Sequence, residues 1–158
     1  MPKFKWFAVG TVALLFLLTS CGSFFMQQAP AFPRGKVYIH AQSQTLELEV
    51  EIASTMEQRK YGLMFRDELP ENSGMIFLFP TNVTGGFWME NTKIPLSIAF
   101  ISSEGEILKI MDMEPYSLKS HDPGVPYSQA LEVNQGWFSD HGVKEGDHVE
   151  LIPCEKVL

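Results

Sequence analysis

The chain has 158 residues, of which 45% are hydrophobic and 20% charged, and 12 Lys and Arg face 19 Asp and Glu for a formal net charge of −7. This length suffices for one domain with its own core. The acidic balance argues against nucleic acid as a partner and against electrostatic adhesion to an anionic membrane.

Lys3 and Lys5 open the chain, and Trp6 to Leu18 follow without a charge. Thirteen uncharged residues are too few for a bilayer core of ~30 Å, which takes about 20, but they suit the apolar region of a secretory signal. The run ends in Leu18-Thr19-Ser20-Cys21, which resembles the lipobox of bacterial lipoproteins. The resemblance implies a leader over 1–20, cleavage before Cys21, and acylation of Cys21 of the palmitate type. The membrane contact would then be the lipid on Cys21, and the location the exported side of a bacterial cell envelope. Gly22 supplies no acidic retention signal. With Cys21 lipidated, Cys154 is left as a single thiol without a partner for a disulfide.

Residues 21–35, rich in Ser, Gln, Ala and Pro, are expected to form a tether, although Phe24, Phe25 and Phe32 are unusual for a linker. A single globular domain is expected over 36–158. "TLELEVEIA" alternates strictly, with Leu46, Leu48, Val50 and Ile52 on one face and Glu47, Glu49 and Glu51 on the other, the period of a strand. Ser54 and Glu57 have capping-box spacing, so a short helix is expected from Thr55 to about Tyr61, stopped by Gly62. "GMIFLFP" is a continuous apolar run, the pattern of a strand covered on both faces.

"TGGFWME" and "PLSIAFIS" are read as two further strands around a polar knot, and "SSEGE" as the turn of a hairpin whose return strand is "ILKIMDM". Glu114 to Ser128 hold three prolines and Gly124 and read as a long loop. "QALEV" and "DHVELI" are late strands, separated by a helical turn at "GWFSDHG". The expected fold is therefore α+β and strand-dominated: a compact β-rich domain with one or two short helices, a small barrel being one closure open to it.

The knot, "FWMENTKIPLSIAFI", holds the densest chemistry. In extended backbone Trp88 and Glu90 point one way, Phe87 and Met89 the other. Asn91 and Thr92 are residues that bond neighbouring backbone in turns, and Pro95 keeps Ile94 extended. Trp88 either fills core beside a stiff connection or floors a cleft in which Asn91 and Thr92 offer donors.

"RKYGLMFRDELPENSGMIFLF", "FWMENTKIPLSIAFI", "GEILKIMDMEP" and "ALEVNQGWFSDHGVKEGDHV" together resemble the family called domain of unknown function 192. The resemblance covers about 46–151. It implies a compact β-rich fold without an assigned activity, and it directs attention to Arg66, Trp88, Asn91, Thr92, Pro95 and Glu132. Ser97 stands where the family commonly has Asp, and the loop after Pro115 lacks the cysteines of many members; both departures weaken a reaction that would need those groups.

Glu132 lies mid-strand, with Leu131 and Val133 on the opposite face. Such an acid faces water or needs a partner, and Arg66 is the expected one, through its planar fork. The histidines show no zinc spacing; Asp112, Glu114, His121 and Asp122 are the residues that could gather around a cation. Nucleophile motifs and phosphate-cradling loops are missing, so no cofactor and no catalytic residue is assigned. The expectation is an envelope binding or accessory module for a small polar ligand, a glycan fragment for instance, or for an envelope protein. Arg66, Trp88, Asn91, Thr92 and Glu132 are its candidate ligand-binding residues. The alternatives are a hydrolase with Glu132 as acid or base, and a purely structural interaction domain.

Overall fold

The computed structural model describes residues 29–154. The leader, Cys21 and most of the tether lie outside the described residues. Seven strands and two short helices follow in the order β1 (Arg34–Ala41), β2 (Gln44–Ala53), α1 (Met56–Tyr61), β3 (Ser73–Val83), β4 (Leu96–Ile101), β5 (Ile107–Met113), β6 (Tyr127–Asn134), α2 (Trp137–Asp140) and β7 (His148–Pro153). The strands form one sheet in the order β5-β4-β6-β3-β2-β1-β7. Neighbours are antiparallel except β2 and β3, which run parallel because α1 carries the chain across between them. The fold is strand-dominated α+β, as the sequence predicts. The barrel closure does not occur: the edges touch at one corner, where Glu106 bridges His148, and the sheet stays open.

Alternation along the strands makes two apolar faces. Val37, Ile39, Leu48, Val50, Ile52, Ile76, Leu131 and Val133 pack on the first, roofed by Trp137 and Phe138 of α2 and by Val143. Met75, Phe77, Ile98, Phe100, Ala130 and Tyr127 pack on the second, covered by Leu63, Met89 and Ile94 from the connecting segments. A sheet covered on both faces explains why β3 and β4 read as unbroken apolar runs.

Three local expectations shift. The capping box of α1 uses Thr55 and Gln58 in place of Ser54 and Glu57. Gln58 is buried, and its Nε2 donates to the Ala31 carbonyl at 2.7 Å, while Phe32 packs near Tyr61, with centroids 6.5 Å apart. The last residues assigned to the tether therefore dock on the domain, and β1 already begins at Arg34. Finally, "TGGFWME" is not a strand. β3 runs on to Val83 with an irregularity between Leu78 and Val83, and the following segment touches ladder geometry only where Phe87 bridges His121.

Candidate functional site

The site is built on the second face of the sheet. A cross-strand row runs Glu51, Met75, Glu132, Ile98, Met111 through the registers of β2, β3, β6, β4 and β5. Glu132 occupies its centre. Gly74 lets β3 approach β6 here: a Cβ there would lie 2.5 Å from the Glu132 carbonyl oxygen and against Leu131 and Val133 of the first face, closer to the oxygen than carbon can approach.

Above this face the chain is held by Phe87. Its N–H donates to the His121 carbonyl at 3.1 Å, and the His121 N–H returns to the Phe87 carbonyl at 2.8 Å. Its ring meets Phe77 edge-on at 5.0 Å and Phe100 at 5.8 Å. Gly86 is required beside it, since a Cβ would sit 2.4 Å from the His121 carbonyl oxygen. With Phe87 and Met89 turned inward, alternation turns Trp88 outward, where it is 54% exposed. Trp88 is thus a rim residue and not core.

The space between these layers is a cleft of about 450 Å³. Arg59, Lys60 and Tyr61 of α1 line one side, Thr84 to Trp88 another, and Phe77, Phe79 and Tyr127 supply aromatic walls, with Thr92 and Glu132 further in. Glu132 is only 5% exposed. Among the described residues its carboxyl has no hydrogen-bond or ion-pair partner; burial alone pushes it up to about 8. Burial, with the negative charge of Asp122 second, likewise pushes the Tyr127 phenol up to about 12, so both groups are mainly protonated at neutral pH. They present O–H donors as well as acceptor lone pairs to the cleft.

The expected Arg66–Glu132 pair does not form. Arg66 pairs instead with Glu51 on β2, one strand beyond Met75 in the same row. Arg66 and Glu51 line a second cleft of about 620 Å³ with Arg34, Lys36 and Cys154. The structure therefore brings Trp88, Thr92 and Glu132 together and leaves Arg66 elsewhere. Thr92 is buried, and its hydroxyl donates to the Glu90 carbonyl at 3.3 Å. Asn91 lines neither cleft; it sits at φ 54°, a left-handed turn position that Asn tolerates, and its carbonyl accepts from the Phe65 N–H at 2.8 Å.

Phe65 and Tyr116 are also left-handed, at φ 65° and 59°. The Tyr116 N–H donates to the Thr92 carbonyl at 2.9 Å, so all three left-handed positions, two of them strained aromatic residues, converge on the turn behind Trp88. Strain stored at one place is a mark of sites held in a particular geometry. Sequence reasoning missed Arg59, Lys60 and Tyr127 at the cleft, because nothing in their local pattern separates them from surface or core residues.

Ser97 lies on the opposite face of β4, where its hydroxyl donates to Asp112 at 2.5 Å and accepts the Gly136 N–H at 2.9 Å. Ser97 and Asp112 together serve the turn into α2 and do not reach the Trp88 cleft. Among the described residues no three His, Cys, Asp or Glu side chains gather to hold a metal ion, and no helix is long and apolar enough to cross a membrane.

A strand-dominated sheet domain with an irregular turn over an aromatic-walled cleft defines the class. The chain belongs to the DUF192 family, "Uncharacterized ACR", whose model matches residues 37–151. It is similar to a solved structure from Sinorhizobium meliloti 1021, provisionally assigned as a transcription regulator. That match has 34% identity and a TM-score of 0.75, covering 77% of this chain and 96% of the other. It is also similar to a protein of unknown function from Novosphingobium aromaticivorans DSM 12444, at 35% identity and TM-score 0.70, covering 73% and 83%. No curated protein matches.

Proposed function

We propose that this chain is a lipid-anchored envelope protein that binds a small polar ligand in the cleft between Trp88 and Glu132. The observation that carries the reading is Glu132: a carboxyl buried to 5% exposure, without a partner, lining an open cleft. A largely desolvated acid without a protein partner is costly even where it reaches a cleft, and a ligand that hydrogen-bonds it would offset that cost. Trp88 at the rim offers a flat apolar face, and the hydroxyls of Thr92 and Tyr127 add polar contacts, a combination suited to sugars and other hydroxylated molecules. The Cys21 motif supplies the anchor and the exported address.

The hydrolase alternative is weaker. Glycoside hydrolysis generally uses two carboxyl groups across the scissile bond, and Glu132 is the one carboxyl among the described residues lining this cleft. A thermal-shift screen of the full-length protein against soluble glycan fragments tests the binding reading. A true ligand at 100 times its Kd should add ~2.7 kcal/mol of stability, and Trp88→Ala should abolish that gain. A screen without any shift, or a shift indifferent to Trp88→Ala, removes the reading.

A further inference from the structure

The charges around the cleft are arranged against the sign of the whole molecule. The chain carries −7 overall, yet the ionisable groups lining this cleft are Arg59, Lys60, Tyr61, Tyr127 and Glu132. Neither cation neutralises the acid. Lys60 forms no ion pair among the described residues, and Arg59 spends one guanidinium nitrogen on the Ser54 and Leu78 carbonyls, at 2.5 and 2.9 Å, with its plane 5.1 Å over Phe79. Asp122 lies close enough to influence Tyr127 but does not line the cleft. Arg59 lies over Phe79, whose ring is 5.6 Å from that of Tyr127, so a cation and the phenol share one end of the cleft, while Glu132, five residues further along β6, brings an isolated carboxyl to another part of it.

We infer that the cleft is selective for hydroxylated anions, with a sugar acid as the ligand class, its carboxylate directed to Lys60 and Arg59 and its hydroxyls to Glu132, Tyr127 and Thr92. This rests on the binding reading above and adds the charge of the ligand to it. Because burial keeps Glu132 mainly protonated at neutral pH, the acid end does not repel an anion, and it can donate to a hydroxyl oxygen. An ammonium ligand would have to pass two cations to reach a carboxyl that is mainly uncharged. A neutral sugar would satisfy Glu132 but gain nothing from Lys60.

Three ligands that share one ring and differ in charge separate these cases: glucuronate, glucose and glucosamine, measured on the full-length protein at about pH 6 by ligand-detected NMR. The expected order is glucuronate tightest, by roughly tenfold over glucose as one charge-assisted contact implies, and glucosamine weakest. Lys60→Gln should remove the preference, so that glucuronate and glucose bind the variant with equal affinity. Equal binding of glucuronate and glucose, or a preference for glucosamine, overturns the charge inference while leaving sugar binding in this cleft intact. Absence of binding by all three overturns both.

Discussion

At the scale of single residues, Glu132 and Arg66 have opposite fates on the same face of the sheet. Arg66 reaches Glu51, and both groups are partly buried, so their interaction is a charge-assisted hydrogen bond and not merely a surface pair. Removing Arg66 should cost about 1–2 kcal/mol, since the remaining carboxylate loses its partner in a partly dry place. A double-mutant cycle by denaturant unfolding checks the assignment. Arg66→Ala and Glu51→Ala should be strongly non-additive, whereas Arg66→Ala and Glu132→Gln should add, as separate sites do. The choice between Glu51 and Glu132 was not legible in the sequence. Both acids alternate correctly for the same face, and which lies nearer Arg66 depends on β2 pairing parallel beside β3, a matter of strand order that periodicity does not encode.

At the scale of elements, the segment from Gly85 to Thr92 behaves as an arch pinned at Phe87. Its sequence contains the alternation that turns Trp88 outward, and that part was readable. Its lack of a strand was not, because it follows from the backbone of His121, 35 residues on, pressing against Gly86. Gly86→Ala should push the Phe87–His121 bridge apart, destabilise the protein by about 1–3 kcal/mol, and raise hydrogen exchange at the Phe87 and His121 amides above that of β3. Unchanged protection at those two amides would show that the arch is held by something else. The α1 cap teaches a similar lesson. The expected capping box on Ser54 and Glu57 gives way to one on Thr55 and Gln58, whose buried amide is also tied to the Ala31 carbonyl.

At the scale of the whole molecule, the strand-dominated class and nearly every strand were legible, since two-sided burial writes itself as unbroken apolar runs and one-sided burial as alternation. The open sheet was not, because closure depends on twist and edge geometry and not on pattern. The domain gives up stability at one position in exchange for a cleft. Folding moves the Glu132 carboxyl from an ordinary value of 4.5 to about 8, so between those values the folded state holds a proton that the unfolded state releases. The contribution is most favourable below pH ~4.5 and is lost as pH rises to ~8, a total on the order of 3–5 kcal/mol. Glu132→Gln removes the titration without changing the shape, and all other groups titrate alike in both proteins. The direct test is therefore the unfolding free energy of wild type and Glu132→Gln across about pH 5 to pH 9. The account predicts that wild type falls progressively behind the variant as pH rises through this window, with the gap levelling off above pH ~8. Parallel curves would mean that Glu132 is wet or paired, and would contradict the reading of this cleft as a site that waits for a ligand.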